Sequence, residues 1–228
     1  MSITKHLPNL LTCLNLVSGC IACTFALQGL LYYAAVFVLV AAVFDFCDGF
    51  VARFLHAYSP IGKELDSLAD EVSFGVAPGM VLFYTLAQAA FPQQSYLPYV
   101  AFVIPAFSAL RLAKFNIDTR QATSFLGLPV PANALFWVSG LYATQPLMSA
   151  NVILYTAVAL ALAGVTSFLL VSEVPMFSLK IKSLAWKGNE LRYLLAAGAV
   201  VFVGLWGFLG IAGTIVLYVI LSLLNKRK

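Results

Sequence analysis

The sequence predicts an all-α fold, a polytopic integral membrane helix bundle of about eight transmembrane helices with both termini in the cytoplasm. Two features of composition lead to this fold class: 62% of the 228 residues are hydrophobic, and only 10% are charged. With a mean hydropathy of +0.95, the chain has more apolar surface than its own core can bury, so the remainder requires lipid as its solvent. The composition excludes a soluble globular domain, and the modest net charge of +4 argues against a nucleic-acid-binding module.

The predicted spans follow one another along the chain. A bilayer core about 30 Å thick requires roughly 17 to 25 apolar residues per helix. The stretches of this kind are Leu7–Leu27, Leu31–Leu55, Asp66–Ala90, Tyr96–Leu112, Ala132–Leu147 and Val152–Val171. The last apolar stretch, Tyr193–Leu224, is too long for one ordinary span. Glycines near its middle predict two helices joined by a turn at positions 207–210.

The positions of the basic residues predict the orientation in the membrane. With eight spans and a cytoplasmic N-terminus, all 13 Lys and Arg residues fall in cytoplasmic segments, as the positive-inside rule requires. Seven spans would place the basic tail Lys226–Lys228 on the opposite side. We therefore predict eight spans in a single transmembrane domain over residues 1–228, with the lipid bilayer as its surroundings.

Acidic residues mark the predicted reaction site at the cytoplasmic membrane face. Asp45 and Asp48 lie near the end of the second span, and Asp66 and Asp70 open the third. Spacings of three and four residues place each pair on one face of its helix, and the short connection between the helices brings the pairs together. Four carboxylates at a membrane boundary repel one another and are costly to bury without a counter-charge.

Divalent cations would satisfy this arrangement. Carboxylate oxygens are hard ligands that suit Mg²⁺, Mn²⁺ or Ca²⁺, and four carboxylates can bridge two ions about 3.5–4 Å apart, a geometry that activates phosphoryl oxygens. We therefore predict two divalent cations and phosphoryl transfer as the reaction class. Helix capping by Asp66 and Asp70 is the alternative, but capping does not account for Asp45 and Asp48 inside an apolar run.

The four acids belong to a longer pattern of fixed spacing. It reads Asp45-Phe-Cys-Asp48-Gly49-Phe-Val-Ala52-Arg53, followed by Gly62, Asp66 and Asp70. This pattern resembles the signature of the CDP-alcohol phosphatidyltransferase family, and the resemblance covers residues 5–135, while residues 136–228 match only in hydropathy. It implies a polytopic homodimeric enzyme, dependent on Mg²⁺ or Mn²⁺, that moves a phosphatidyl group from CDP-diacylglycerol to an alcohol and releases CMP. Its active site would lie at the cytoplasmic face of a bacterial-type cell membrane.

The resemblance also implies a role for each position of the pattern. Asp45 and Asp66 would bridge both metal ions, Asp48 would complete one and Asp70 the other. Asp70 would in addition take the proton from the acceptor hydroxyl. The residues expected to hold the cytidine diphosphate are Asn9, Thr12, Asp48, Gly49, Ala52, Arg53 and Ser59. Small side chains let a nucleotide lie against a helix, and an arginine offers a bidentate fork to phosphate.

The segments after Asp70 indicate the acceptor. The sequences at 71–78, 111–116 and 127–132 are similar to the phosphatidylserine synthase branch of the family, whereas the glycerophosphate-using branch has Pro and Lys where Ser67 and Glu71 stand. L-Serine carries a carboxylate, an ammonium group and the attacking hydroxyl, so its site needs a cation and hydrogen-bonding groups. The predicted serine contacts are Ser73, Arg111, Lys114 and Asn116.

Two alternatives remain open at the level of sequence. The same chemistry could act on another acceptor, such as glycerol 3-phosphate or inositol phosphate. A cation-coupled transporter would also carry acids within the membrane, although its acids belong near the bilayer midplane and here they lie at one face. Arg111 and Lys114 are equally explained as positive-inside markers.

Overall fold

Helices make up nearly all of the regular structure of the chain. The computed structural model describes residues 6–57, 59–89, 96–118, 125–177, 185–186 and 188–225. In chain order the elements are α1 (Leu7–Leu27), α2 (Leu31–Phe54), α3 (Pro60–Asp70), a π-helical segment (Glu71–Val76), α4 (Ala77–Gln88), a 3₁₀ segment (Leu97–Phe102), α5 (Val103–Ile117), β1 (Phe125–Leu126), α6 (Val130–Thr144), a second 3₁₀ segment (Gln145–Ser149), α7 (Val152–Val171), β2 (Pro175–Met176), α8 (Glu190–Trp206) and α9 (Phe208–Asn225). The predicted all-helical class is confirmed, with one two-residue antiparallel strand pair, β1–β2, added to it.

Five helices within the described ranges are long and apolar enough to cross a membrane. They are Leu7–Leu27, Leu31–Phe54, Leu97–Ile117, Val152–Val171 and Phe208–Asn225. Helices α6 and α8 are shorter, with 15 and 17 residues, and the run from α3 to α4 carries acids at its start. The chain is therefore an integral membrane protein, while the count of eight spans and the side of each terminus stay predictions.

Several basic residues used for the orientation lie outside the described residues. They are Lys5, Arg120, Lys180, Lys182, Lys187, Lys226, Arg227 and Lys228.

The predicted break in the last apolar stretch is confirmed. Helix α8 ends at Trp206 and α9 begins at Phe208. Gly207 between them has φ +55°, ψ −123°, a backbone conformation that a residue with a Cβ rarely adopts. The chain turns there, and α8 then packs against α9.

Helix α1 lies at the centre of the part of the bundle that carries the acids. It packs against α2, α3, the π-helical segment and α4. Both α1 and α2 carry small residues with no exposed surface, Ala22, Ala26, Ala34, Ala35 and Ala41. Small side chains allow helix backbones to approach closely, which supplies the van der Waals contact that drives helix association in lipid. Polar groups of α1 can therefore reach side chains of α2 and α3 directly.

The helix that carries Asp66 and Asp70 begins at a well-defined cap. Ser59 precedes Pro60, and its Oγ accepts a hydrogen bond of 3.0 Å from the backbone N–H of Gly62. A capping serine followed by proline is a strong start signal, because proline fits the first helical turn and has no N–H to satisfy. This cap sets the register of α3 and so the direction of both aspartates.

Candidate active site

Three of the four acids of the pattern, two from α2 and one from α3, come together in the structure. One carboxylate oxygen from each of Asp45, Asp48 and Asp66 lies within 4.8 Å of the other two. The trio is largely enclosed: Asp48 is buried and the other two are half-buried. Oδ1 of Asp66 is buried and has no hydrogen-bond partner in the part of the chain that the structure describes.

This geometry fits a divalent cation. Three hard anionic oxygens that converge on one point repel one another, and an ion with charge +2 reverses that repulsion. The orphaned Oδ1 of Asp66 gives an independent indication, because a buried carboxylate oxygen without a donor is costly unless a cation takes the donor's place. The trio is therefore suited to Mg²⁺, Mn²⁺ or Ca²⁺.

Asp70 stands beside the trio in a different environment. It is buried, and its Oδ1 accepts a hydrogen bond of 3.0 Å from the side-chain amide of Asn15 on α1. A carboxylate has two oxygens, so this bond occupies one of them and leaves Oδ2 for a metal ion or for the proton of a substrate hydroxyl. Asp70 thus has one fixed oxygen and one oxygen available for chemistry.

A second residue of α1, Thr12, holds Asp48. Oγ1 of Thr12 donates a hydrogen bond of 2.7 Å to Oδ2 of Asp48, and it also lies 3.1 Å from the carbonyl oxygen of Pro8. The short distance is typical of a hydroxyl that donates to a charged acceptor. Thr12, predicted to contact the nucleotide, is in the structure bonded to a predicted metal ligand.

A close approach of two backbones fixes Asn15. Ser73, in the π-helical segment, donates a hydrogen bond of 2.9 Å from Oγ to the backbone carbonyl oxygen of Asn15. Gly19, one turn further along α1, faces the same serine, and a Cβ at Gly19 would lie 2.7 Å from Cα of Ser73. The predicted serine contact Ser73 is fully buried, and its hydroxyl joins the π-helical segment to α1.

The face of α2 beside the trio is open where a nucleotide was predicted. A Cβ added at Gly49 would have no neighbour within 4 Å. Ala52 is half-buried and Arg53 is exposed, and Nε of Arg53 donates a hydrogen bond of 2.8 Å to the carbonyl oxygen of Gly49. That bond holds the guanidinium along the helix.

Asn9 and Ser59, which were also predicted to bind the nucleotide, meet at Gly62. A Cβ at Gly62 would lie 2.9 Å from Oγ of Ser59 and 3.0 Å from Oδ1 of Asn9. The space at Gly62 is therefore tight, and a side chain there would require the ends of the Ser59 and Asn9 side chains to move. The structure brings these polar groups together at the N-terminal end of α1.

Arg111 and Lys114 line a separate cleft of about 320 Å³ at the end of α5. The cleft also contains Asp118 and Glu173 and none of the four aspartates of the pattern. Arg111 is buried, with its guanidinium 5.2 Å from the centre of the Phe115 ring, a cation–π distance. Nζ of Lys114 donates a hydrogen bond of 3.3 Å to the carbonyl oxygen of Val171.

Asn116 lies on another face of α5. The side-chain amide of Asn116 donates a hydrogen bond of 2.8 Å to Oγ of Ser67. The backbone carbonyl oxygen of Asn116 accepts a hydrogen bond of 2.9 Å from Nζ of Lys63. These bonds tie the end of α5 to α3. The four predicted serine contacts are thus divided in the structure, and only Arg111 and Lys114 share a cleft.

Asn15 is the site residue that the sequence analysis missed. A signal was present, because an asparagine stands inside an apolar run, three residues after Thr12 and therefore on the same helix face. A polar amide in a predicted membrane span needs a partner. Its partner, Asp70, is 55 positions away in sequence, so the pairing becomes visible only in three dimensions.

Comparison with known proteins agrees with this site. The family model for CDP-alcohol phosphatidyltransferase matches residues 5–169. The chain is 35% identical over 146 residues to the CDP-diacylglycerol--serine O-phosphatidyltransferase of Bacillus subtilis, an alignment that covers 64% of this chain and 81% of that protein. It is 36% identical over 178 residues to the enzyme of the same name from Mycobacterium leprae, covering 75% of this chain and 57% of the relative.

An archaeal protein is similar to the same degree. The archaetidylserine synthase of Methanothermobacter thermautotrophicus is 36% identical over 145 residues, which cover 60% of this chain and 59% of that protein. The chain thus spans less than two thirds of the Mycobacterium leprae and archaeal relatives and about four fifths of the Bacillus protein.

Proposed function

This chain belongs to the CDP-alcohol phosphatidyltransferase family, and we propose that it transfers the phosphatidyl group of CDP-diacylglycerol to the hydroxyl of L-serine, giving phosphatidylserine and CMP. The observation that carries the proposal is the convergence of Asp45, Asp48 and Asp66 within 4.8 Å, beside Asp70. The names of the Bacillus and Mycobacterium relatives support serine as the acceptor.

The aspartates are the residues that would hold the metal ions. Asp45, Asp48 and Asp66 would hold one divalent cation, and Asp70 would help to hold a second. Mg²⁺ or Mn²⁺ is proposed in preference to Ca²⁺. When bound, the ions would neutralise the diphosphate and stabilise the charge that develops on the departing CMP. The orphaned oxygen of Asp66 supports this assignment.

The nucleotide lies on the open face of α2. Gly49 gives the diphosphate room, because a side chain there would occupy the space beside the trio. Arg53 directs its terminal guanidinium nitrogens to a phosphate, which is the strongest geometry for a phosphate contact. The rest of the nucleotide site is lined by Ala52, Ser59 and Asn9, where α1, α2 and the start of α3 meet.

Asp70 takes the proton from the acceptor. The serine oxygen forms a bond to the phosphatidyl phosphorus, the bond from that phosphorus to the CMP oxygen breaks with its electron pair on CMP, and the hydroxyl proton passes to Oδ2 of Asp70. A carboxylate that stands beside metal ions acts as a base through its position more than through its basicity. The bond from Asn15 to Oδ1 provides that position.

Arg111 and Lys114 recognise the serine carboxylate. Their cleft offers two cations together with two acids, a charge pattern that suits a zwitterion, and α5 packs directly against the π-helical segment that follows Asp70. Ser73 and Asn116, whose side chains bond to neighbouring helices, hold the walls of the site.

The eight spans, the cytoplasmic termini and the active site at the cytoplasmic face of a bacterial-type cell membrane form part of the proposal. The distribution of all 13 basic residues supports this topology. A homodimer is proposed on the basis of the family resemblance.

The direct test is CMP release by the purified protein in detergent with CDP-diacylglycerol. L-Serine, glycerol 3-phosphate and inositol phosphate are compared as acceptors, with Mn²⁺ or Mg²⁺ and with EDTA. Release that requires metal and rises only with serine supports the proposal. Release with another acceptor would contradict serine as the substrate but support phosphatidyl transfer as the reaction. No release with any acceptor would refute the enzyme function.

Variants of α3 sharpen this test. Asp70→Asn is expected to lower turnover by at least about 10²-fold, since a general base contributes that much to a proton transfer. Glu64→Gln is the matched control, because Glu64 is an exposed acid of the same helix and the variant removes the same charge. Equal turnover by the two variants contradicts the role of Asp70.

A further inference from the structure

We infer that α1 carries two separate positioning residues for the reaction: Thr12, which orients Asp48 for metal binding, and Asn15, which orients Asp70 for proton transfer. This inference deepens the proposed function and rests on it. It is based on two hydrogen bonds donated by side chains of α1. Thr12 donates to Asp48 on α2, and Asn15 donates to Asp70 on α3. Positions 12 and 15 lie three residues apart, so one face of α1 serves both acids.

The Thr12 bond acts on the metal trio. Asp48 is one of the three acids within 4.8 Å of one another, and its Oδ2 is held at 2.7 Å by the threonine hydroxyl. A ligand oxygen that is fixed by a donor keeps its carboxylate in one orientation, with the second oxygen directed at the ion. Loss of such an outer contact typically weakens metal binding or activity 10- to 100-fold.

The Asn15 bond acts on a different acid. Asp70 lies outside the trio, and Asn15 occupies one of its two oxygens at 3.0 Å. The remaining oxygen is therefore fixed in direction and in distance from the place where the acceptor hydroxyl must sit. Asn15 touches neither substrate nor metal in this role, and it acts by holding Asp70.

Asn15 is itself fixed more firmly than a single helix position would require. Its side chain has no exposed surface, and its backbone carbonyl accepts the hydrogen bond from Ser73 at 2.9 Å. The absence of a side chain at Gly19, one turn away, lets the backbones of α1 and the π-helical segment pack directly at Ser73. The segment that directly follows Asp70 is thus locked to the helix that presents the amide.

Two near-isosteric variants separate the roles. Thr12→Val removes the hydroxyl and Asn15→Leu removes the amide, while Thr12→Ser keeps a hydroxyl donor. Ser18→Ala is the matched control, because Ser18 is a buried polar residue of α1 whose hydroxyl donates only to its own helix, to the carbonyl oxygen of Leu14 at 2.8 Å.

Mn²⁺ binding is measured without substrates, from the electron paramagnetic resonance signal of free Mn²⁺, together with kcat and KM for CMP release. Thr12→Val is expected to weaken Mn²⁺ binding 10- to 100-fold, and Thr12→Ser to recover most of it. Asn15→Leu is expected to leave the affinity for the first Mn²⁺, the ion of the Asp45, Asp48 and Asp66 trio, within about threefold and KM for CDP-diacylglycerol unchanged, while kcat falls 10- to 100-fold. Ser18→Ala should match the wild type in both measurements.

Other outcomes overturn the inference. If Asn15→Leu weakens binding of that first Mn²⁺ as much as Thr12→Val does, the two anchors are not separate. If either variant matches Ser18→Ala throughout, that residue has no positioning role. A thermal unfolding scan of each variant identifies misfolding, and Thr12→Ser then carries the test for Thr12. A wild-type protein that binds Mn²⁺ but releases no CMP would refute the proposed function, while the Mn²⁺ comparison would still test the Thr12 anchor.

Discussion

Replacement of Gly19 by alanine tests the closest contact in the active site. The added Cβ would lie 2.7 Å from Cα of Ser73, whereas carbon atoms in contact prefer about 3.5–4.0 Å. The two backbones must therefore separate by about 1 Å. A shift of that size along the 2.9 Å bond from Ser73 to the carbonyl of Asn15 would stretch it beyond hydrogen-bonding distance.

The energetic consequence has two opposing parts. Overpacking of a well-packed interior costs about 1–3 kcal/mol, while replacement of a helical glycine by alanine contributes about 0.5–1 kcal/mol in the other direction. Gly164→Ala has only the second part, because Gly164 lies inside α7 and a Cβ there has no neighbour within 4 Å. The difference between the two variants therefore isolates the cost of overpacking. At about 2–4 °C per kcal/mol for a chain of this size, Gly19→Ala should unfold about 2–12 °C below Gly164→Ala.

Activity provides the second measurement. A displacement of about 1 Å at a catalytic group can lower the rate about 10²-fold, so CMP release by Gly19→Ala should fall by one to two orders of magnitude while Gly164→Ala retains wild-type turnover. The assays are thermal unfolding in detergent, followed by tryptophan fluorescence, and CMP release with serine. If the two variants unfold at the same temperature and turn over equally, α1 does not approach Ser73 as closely as described, and the reasoning on Asn15 loses its basis.

Three further variants test the metal site and the break before α9. Asp66→Asn should abolish metal-dependent CMP release without lowering the unfolding temperature in EDTA, because the amide removes one of the repelling charges; a large destabilisation in EDTA would contradict this. Mn²⁺ at 100 times its dissociation constant should stabilise the wild type by about 2.7 kcal/mol. The same Mn²⁺ concentration should stabilise Asp45→Asn much less, and thermal unfolding with and without EDTA measures both effects. Gly207→Ala should cost about 1–3 kcal/mol, because Gly207 has φ +55°. Gly204 lies inside α8 and a Cβ there meets nothing within 4 Å, so Gly204→Ala should instead stabilise the protein by about 0.5–1 kcal/mol in the same scan.

Much of this protein follows from its sequence alone. Apolar run lengths determine that the chain is helical and membrane-embedded, since in lipid each backbone group must find its partner within the helix. The break at Gly207 follows from a run too long for one span, and the acids at positions 45, 48, 66 and 70 could be assigned to a shared site because helix periodicity places each pair on one face. These features depend on local spacing, which a sequence displays directly.

The tertiary structure decided the partners of those acids. Thr12, expected at the nucleotide, is bonded to Asp48, and Asn15, which no motif marked, is bonded to Asp70. Ser73 and Asn116, expected at the serine, join helices to one another, while Arg111 and Lys114 share a cleft apart from the aspartates. The physical reason is that these contacts depend on how closely and at what rotation two helices pack, and small residues far apart in sequence set that approach together.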